Sequence, residues 1–198
     1  MLYSRSFAVL SFLAVLAAAL PAAAGQKDGG AVPAVRAQVL SLLASTKETP
    51  TCEDWKGLGK GAVEVLSERL ASGEEAPALR TRAAFGLGCF EGNVQAAKAL
   101  RAAARDEKLA ALVRNPALVS LAKVEKEKAI PEIEKALSAG DPMTRLAGVE
   151  AAEELGKDGA RRVLQKRLAK EPLPVVQNRM REAMGEGAKG PAPVPEKK

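Results

Sequence analysis

The chain has no histidine, only two cysteines and six aromatic residues among 198. Without imidazole, Ser–His and Cys–His nucleophilic catalysis are excluded, and a zinc site would lack its usual nitrogen ligands. There is no Gly-rich phosphate loop, no Gly-x-Ser-x-Gly elbow and no His-Glu-x-x-His pair. A serine nucleophile would need a lysine base. The one Ser-x-x-Lys, Ser120 to Lys123, has neither Ser-Asp-Asn nor Lys-Thr-Gly beside it. The carboxylate pairs Glu132/Glu134 and Glu153/Glu154 lie in charged helical runs, whereas catalytic carboxylates need an enclosed site that shifts their pKa values. No enzyme activity, cofactor or metal is expected.

What is present is alanine, leucine and valine, which supply most of the 47% hydrophobic content. Alanine and leucine favour helices, and small side chains let helices approach closely, so thin stacked helical layers are expected. The first residues differ. "MLYSRS" carries Arg5, the stretch Phe7 to Leu20 is apolar apart from Ser11, and "PAAAG" follows. A basic start, a short apolar run and small residues at Ala22 and Ala24 describe a secretory signal peptide over residues 1–24. The run is shorter than the ~20 apolar residues that span a membrane, and no cysteine follows closely to carry a lipid. The expectation is export to the periplasm or beyond, with no membrane span after cleavage. Arg5 is the only charge removed, so the net charge of +6 becomes +5. Both signs are interspersed, as on a solvated surface.

An internal repeat dominates the remainder. An arginine opens a helical segment at Arg36, Arg80, Arg114 and Arg145, and Gln177 takes the same slot in a fifth copy. The steps are 44, 34, 31 and 32 residues, in the range of helical solenoids. Each unit then carries a second apolar stripe with steps of four: Ala62, Leu66, Leu70; Ala96, Leu100, Ala104; Ala129, Ile133, Leu137; Ala160, Leu164, Leu168. Such steps fall on one helix face. From slot to stripe is sixteen residues in the second unit and fifteen in the third and fourth. Asp141-Pro142 and Asn115-Pro116 read as helix N-caps followed by a first-turn proline. Gly73, Gly140 and Gly185 read as left-handed helix ends.

The segments Leu79, Arg80, Ala83, Gly86, Leu87, Gly88 and Val176, Met180, Ala183, Met184, Gly185 resemble the first helix of HEAT repeats, in particular the short type also found in phycobilisome lyases. The resemblance spans Val32 to Gly185. It implies an all-α, right-handed solenoid of about four helix pairs plus a terminal half-repeat near Pro174 to Met184. It further implies that Arg36, Arg80, Arg114 and Arg145 are structural, each paired with an acid of its own or a neighbouring unit, with Asp141 and Asp106 as candidates. A flexible lead over 25–31 and a disordered Pro/Gly/Lys tail over 186–198 complete the expected organisation.

In the first unit the slot-to-stripe distance grows to 26 residues, because "STKETPTCEDWKGLGKG" is inserted. This insertion holds Cys52 and Trp55; Cys89 falls after the first helix of the next unit. In a solenoid of this type the two turns lie side by side, and two cysteines in an exported protein are read first as a disulfide. Two free buried thiols are the alternative. Trp55 reads as an apolar plug over the end of the stack or as a partner-binding aromatic.

Such repeats imply a binding module with a surface built from second helices. Lys98, Arg101 and Arg105 in the second unit and Arg161, Arg162 and Lys166 in the fourth make two basic layers. Glu64 and Glu68, then Glu134 and Lys135, make the other two acidic or mixed. An acidic protein is the expected partner. A nucleic acid or other polyanion is the alternative, weakened by export and by few aromatics for base stacking.

Overall fold

A helix whose apolar face is mostly alanine buries little by itself and must lie close against others. In a computed structural model that describes residues 31–46 and 48–186, those residues form ten α-helices in that manner. The signal peptide expected over 1–24, the lead before Ala31 and the tail beyond Glu186 lie outside the described residues. Among the described residues there is no strand.

The first unit comprises α1 (Ala31–Ala44), α2 (Cys52–Gly57) and α3 (Lys60–Ala71). The second pairs α4 (Pro77–Leu87) with α5 (Val94–Arg105). The third pairs α6 (Ala111–Glu125) with a 3-10 turn (Lys126–Ala129) and α7 (Ile130–Leu137). The fourth pairs α8 (Pro142–Glu153) with α9 (Gly156–Leu168), and α10 (Pro174–Ala183) follows as a half-unit. First helices pack in one row, α1 on α4, α4 on α6, α6 on α8 and α8 on α10; second helices form the other row, α3, α5, α7, α9. This is an α-solenoid.

The second-helix stripes make the seam between rows. Ala62, Leu66, Leu70, Ala96, Leu100, Ala129, Ile133, Leu137, Ala160 and Leu164 are buried, while Ala104 and Leu168 are half-buried against the same core. Facing them are Ala83, Ala84, Leu87, Ala117, Leu121, Val149, Ala151 and Ala152 from the first helices. Contact is close enough that a Cβ on Gly148 of α8 would stand 3.0 Å from the backbone nitrogen of Leu137.

Asp141 caps α8 as expected, accepting from the backbone N–H groups of Met143 and Thr144 and from the Thr144 hydroxyl. The Thr144 hydroxyl, aided by those N–H groups, holds the Asp141 carboxyl below its ordinary pKa. Asn115 is not a cap. Helix α6 begins four residues earlier, and Pro116 lies inside it. An internal proline leaves the carbonyl four residues back without its helical donor. Here that carbonyl, Leu112 O, accepts from the Thr81 hydroxyl of α4 at 2.9 Å. The neighbouring layer supplies the missing hydrogen bond, so the helix continues through the proline.

The left-handed positions also differ from expectation. Gly185 has φ +78°, but Gly73 and Gly140 are not left-handed. Positive φ recurs instead at the turn inside each unit: Gly59, Gly92, Lys126 and Gly156. The third unit thus places a lysine, φ 52° and ψ −123°, where its neighbours place glycine. A side chain there costs roughly 1–3 kcal/mol. Lys126 is exposed, and among the described residues its ammonium reaches only the Glu154 carbonyl, at 3.4 Å. Lys126→Gly is therefore expected to raise stability by about 1 kcal/mol, read as a higher urea midpoint at unchanged slope. A lower midpoint would show that the turn is not strained.

Candidate functional site

The outward side of the second-helix row carries the charges from which a binding surface would be built. Lys98 and Lys166 are exposed and form no ion pair among the described residues. Arg101 of α5 is only 28% exposed and reaches into the next unit, to Glu125 and, at 3.0 Å, to Glu132. Burial opposes its charge, but these two carboxylates outweigh that and raise its pKa. Arg105 binds the same Glu132. Arg162 of α9 reaches back to Glu127, and Arg161 donates to the Met184 carbonyl. The structure thus spreads the six cations over two roles. Lys98 and Lys166 stand free, whereas the arginines also tie one layer to the next.

The opening arginines divide as well. Arg36 pairs with Glu68 of its own unit at 2.6 Å. Arg80 donates through Nε to the Leu70 carbonyl at 2.9 Å, and Arg114 to the Glu107 carbonyl at 3.3 Å. Among the described residues neither binds an acid: Asp106 instead accepts from the Lys108 N–H, and Asp141 is the helix cap. Arg145 is the buried member, gripped by both oxygens of Glu171 at 2.9 and 3.0 Å and by the Ala139 and Gly140 carbonyls. Both side chains are almost wholly enclosed, 5% and 0% exposed. Glu171 also accepts from the Leu173 N–H, which fixes the approach to α10. Sequence reasoning did not find Glu171, Glu132 or Glu153. Glu171 sits in the linker between α9 and α10, outside any periodic stripe. Glu132 and Glu153 lie in runs of charge where a paired acid looks like a solvated one.

A cavity of about 500 Å³ opens at the edge where second helices end and first helices begin. Its wall includes Arg105, Glu107, Arg114, Asn115, Leu118, Glu132, Lys135 and Ala139. At the N-terminal end, the insertion folds as α2 with a capping box, since Thr51 and Asp54 exchange hydrogen bonds. Trp55 is 3% exposed and packs over Gly86, where a Cβ would stand 3.2 Å from the indole. It is a packing residue. Cys52 and Cys89 are bonded, with Cα atoms 5.1 Å apart, inside the range a disulfide requires.

Residues 110–185 match the family model for HEAT repeats. The matched stretch, which resembles HEAT repeats, covers the third and fourth units with the terminal half-unit. Comparison with curated proteins found no match.

Two outcomes follow from this geometry. Glu171→Ala leaves Arg145 charged and enclosed, and is expected to cost about 3–5 kcal/mol in denaturant unfolding. The double variant Arg145→Met/Glu171→Leu should recover much of that loss; a double variant as unstable as the single would disprove the uncompensated-charge account. Replacing both cysteines by serine opens a loop of 37 residues and is expected to cost about 3–4 kcal/mol in the chain-entropy model. An unchanged urea midpoint in the double-serine protein would contradict it.

Proposed function

We propose that this chain is a non-catalytic protein-interaction or scaffold module, exported to the cell envelope or the medium. HEAT repeats commonly mediate protein–protein interaction or scaffolding. The observation that carries the reading is the second-helix row. It offers a continuous outward surface on which Lys98, Arg105, Arg161, Arg162 and Lys166 are exposed, suited to an acidic partner. The non-catalytic reading draws support from the absence of histidine and from the carboxylates of Glu125, Glu132, Glu153 and Glu171, which are engaged by arginines. Export is supported by the leader-like residues 1–24 and by a disulfide of ordinary Cα separation, a bond that persists in oxidising compartments.

The test is a pull-down from envelope extract with the exported chain as bait, beside the variant Lys98→Glu/Lys166→Glu. Among the described residues these two lysines have no carboxylate partner, so their reversal changes the surface without opening a layer. A specific protein recovered by the parent, and recovered at least about tenfold less by the variant or in high salt, is the expected result. Failure to enrich any protein, with steeply salt-dependent retention of random DNA instead, would replace this reading with a polyanion-binding one.

A further inference from the structure

The opening arginine has the same place in every unit, yet its surroundings differ from unit to unit. In the fourth, Arg145 is met by Glu171, which lies 26 residues after it and enters from the linker ahead of the next helix. In the second, Arg80 shares a recess with Asp106, also 26 residues on. In the third, the residues at that place are Ala139 and Gly140. They bring no carboxylate, and the space beside Arg114 is instead the cavity of about 500 Å³.

Charge in the cavity wall does not cancel. Glu132 is held through one of its oxygens, Oε1, by Arg101 and Arg105, and Glu107 by Lys135 at 3.3 Å. That leaves Arg114, whose one side-chain hydrogen bond among the described residues is to the Glu107 carbonyl. Beside it, the Asn115 amide makes no side-chain hydrogen bond among the described residues, and Leu118 and Ala136 give an apolar floor. A half-enclosed guanidinium with open donors, an amide next to it and an apolar floor suit a carboxylate on a short aliphatic stem.

We propose that this cavity receives an aspartate or glutamate side chain of a partner polypeptide, which takes on Arg114 the place that Glu171 takes on Arg145. The proposal deepens the interaction-module reading and rests on it for the nature of the partner. It moves the specific contact from the exposed lysines of the second-helix row to the edge where units meet.

The test titrates the chain, purified from an exporting host, with an acetylated and amidated pentapeptide carrying one central glutamate between alanines. Amide signals of Asn115, Leu118 and Ala136 in heteronuclear NMR report occupancy. The glutamate peptide is expected to shift them, and its glutamine counterpart to bind about tenfold more weakly or worse, as loss of a charge-assisted contact implies. Arg114→Gln should weaken the glutamate peptide by a similar factor. Ala139→Glu leaves Arg114 in place and supplies an internal carboxylate; it should abolish binding while raising the melting temperature. Equal binding of both peptides, or full affinity in Ala139→Glu, overturns the proposal. So does free 4-methylpentanoate binding as tightly as the peptide, since the site would then take small acids. Envelope pull-downs separate the two levels: a partner retained undiminished by both Arg114→Gln and Ala139→Glu leaves the module reading standing and removes this site. Peptide binding through Arg114 with no protein enriched keeps the site and removes that reading.

Discussion

No unit of this protein can bury its own apolar stripe. A helix pair whose seam is alanine, leucine and valine has one face against its partner and another that stays wet unless a further pair covers it. Every other feature follows from that need for a neighbour. Small residues sit where rows meet, so that backbones come close, as Gly148 does against Leu137. Hydrogen bonds that a single helix cannot complete are completed across layers. Thr81 serves the carbonyl freed by Pro116, and Gly92 donates its N–H to the Val124 carbonyl at 2.9 Å.

An alanine seam is nearly featureless, and featureless surfaces slide. The ion pairs supply the missing register. Arg101 spans from α5 to Glu125 and Glu132, Arg179 of α10 grips Glu153 of α8, and Arg145 of α8 grips Glu171 ahead of α10. Exposed pairs of this kind contribute little net energy, and enclosed ones often break even against apolar replacements. Their effect lies in direction: each arginine meets its carboxylates in one relative placement of two layers. On this account, the arginines expected to form one basic face are partly withdrawn from it, because a guanidinium bound to two carboxylates is no longer a free charge.

The unit boundaries and the buried stripes were legible in the sequence because both come from periodicity, and periodicity is what repeated packing imposes. The partners of the opening arginines were not. Arg80 and Arg114 bind carbonyls, which any residue offers and no residue type announces. Asn115-Pro116 has the composition of a helix start, yet the helix begins at Ala111, because the Thr81 hydroxyl of the preceding unit, bonded to the Leu112 carbonyl, makes an internal proline tolerable. Gly73 and Gly140 looked like helix ends but have ordinary backbone, while Lys126 does what glycine does elsewhere. At Pro116 a contact made across layers overrides a local preference, and a contact across layers leaves no mark at fixed spacing.

The two ends of the stack face the same problem and meet it differently. A terminal layer must present a face that nothing covers. At the C-terminal end, α10 buries Val176 and Met180, with Met184 just after it, and leaves Gln177, Asn178 and Arg181 half-buried and Glu182 exposed beside an exposed Val175, a mostly polar cap. At the other end, α1 buries Val39 and Leu43 but exposes Ala34, Ala37, Leu40, Ser41 and Ala44, with Arg36 as its one charge. Such a helix is held weakly by its surroundings. The reinforcement lies beside it. Arg82 donates to the Leu43 and Ser45 carbonyls at the end of α1, Trp55 fills the space over Gly86, and the disulfide joins the insertion to the second unit. A covalent bond is placed where the non-covalent cap is poorest, and the extra residues of the first unit are best understood as the means of placing it there.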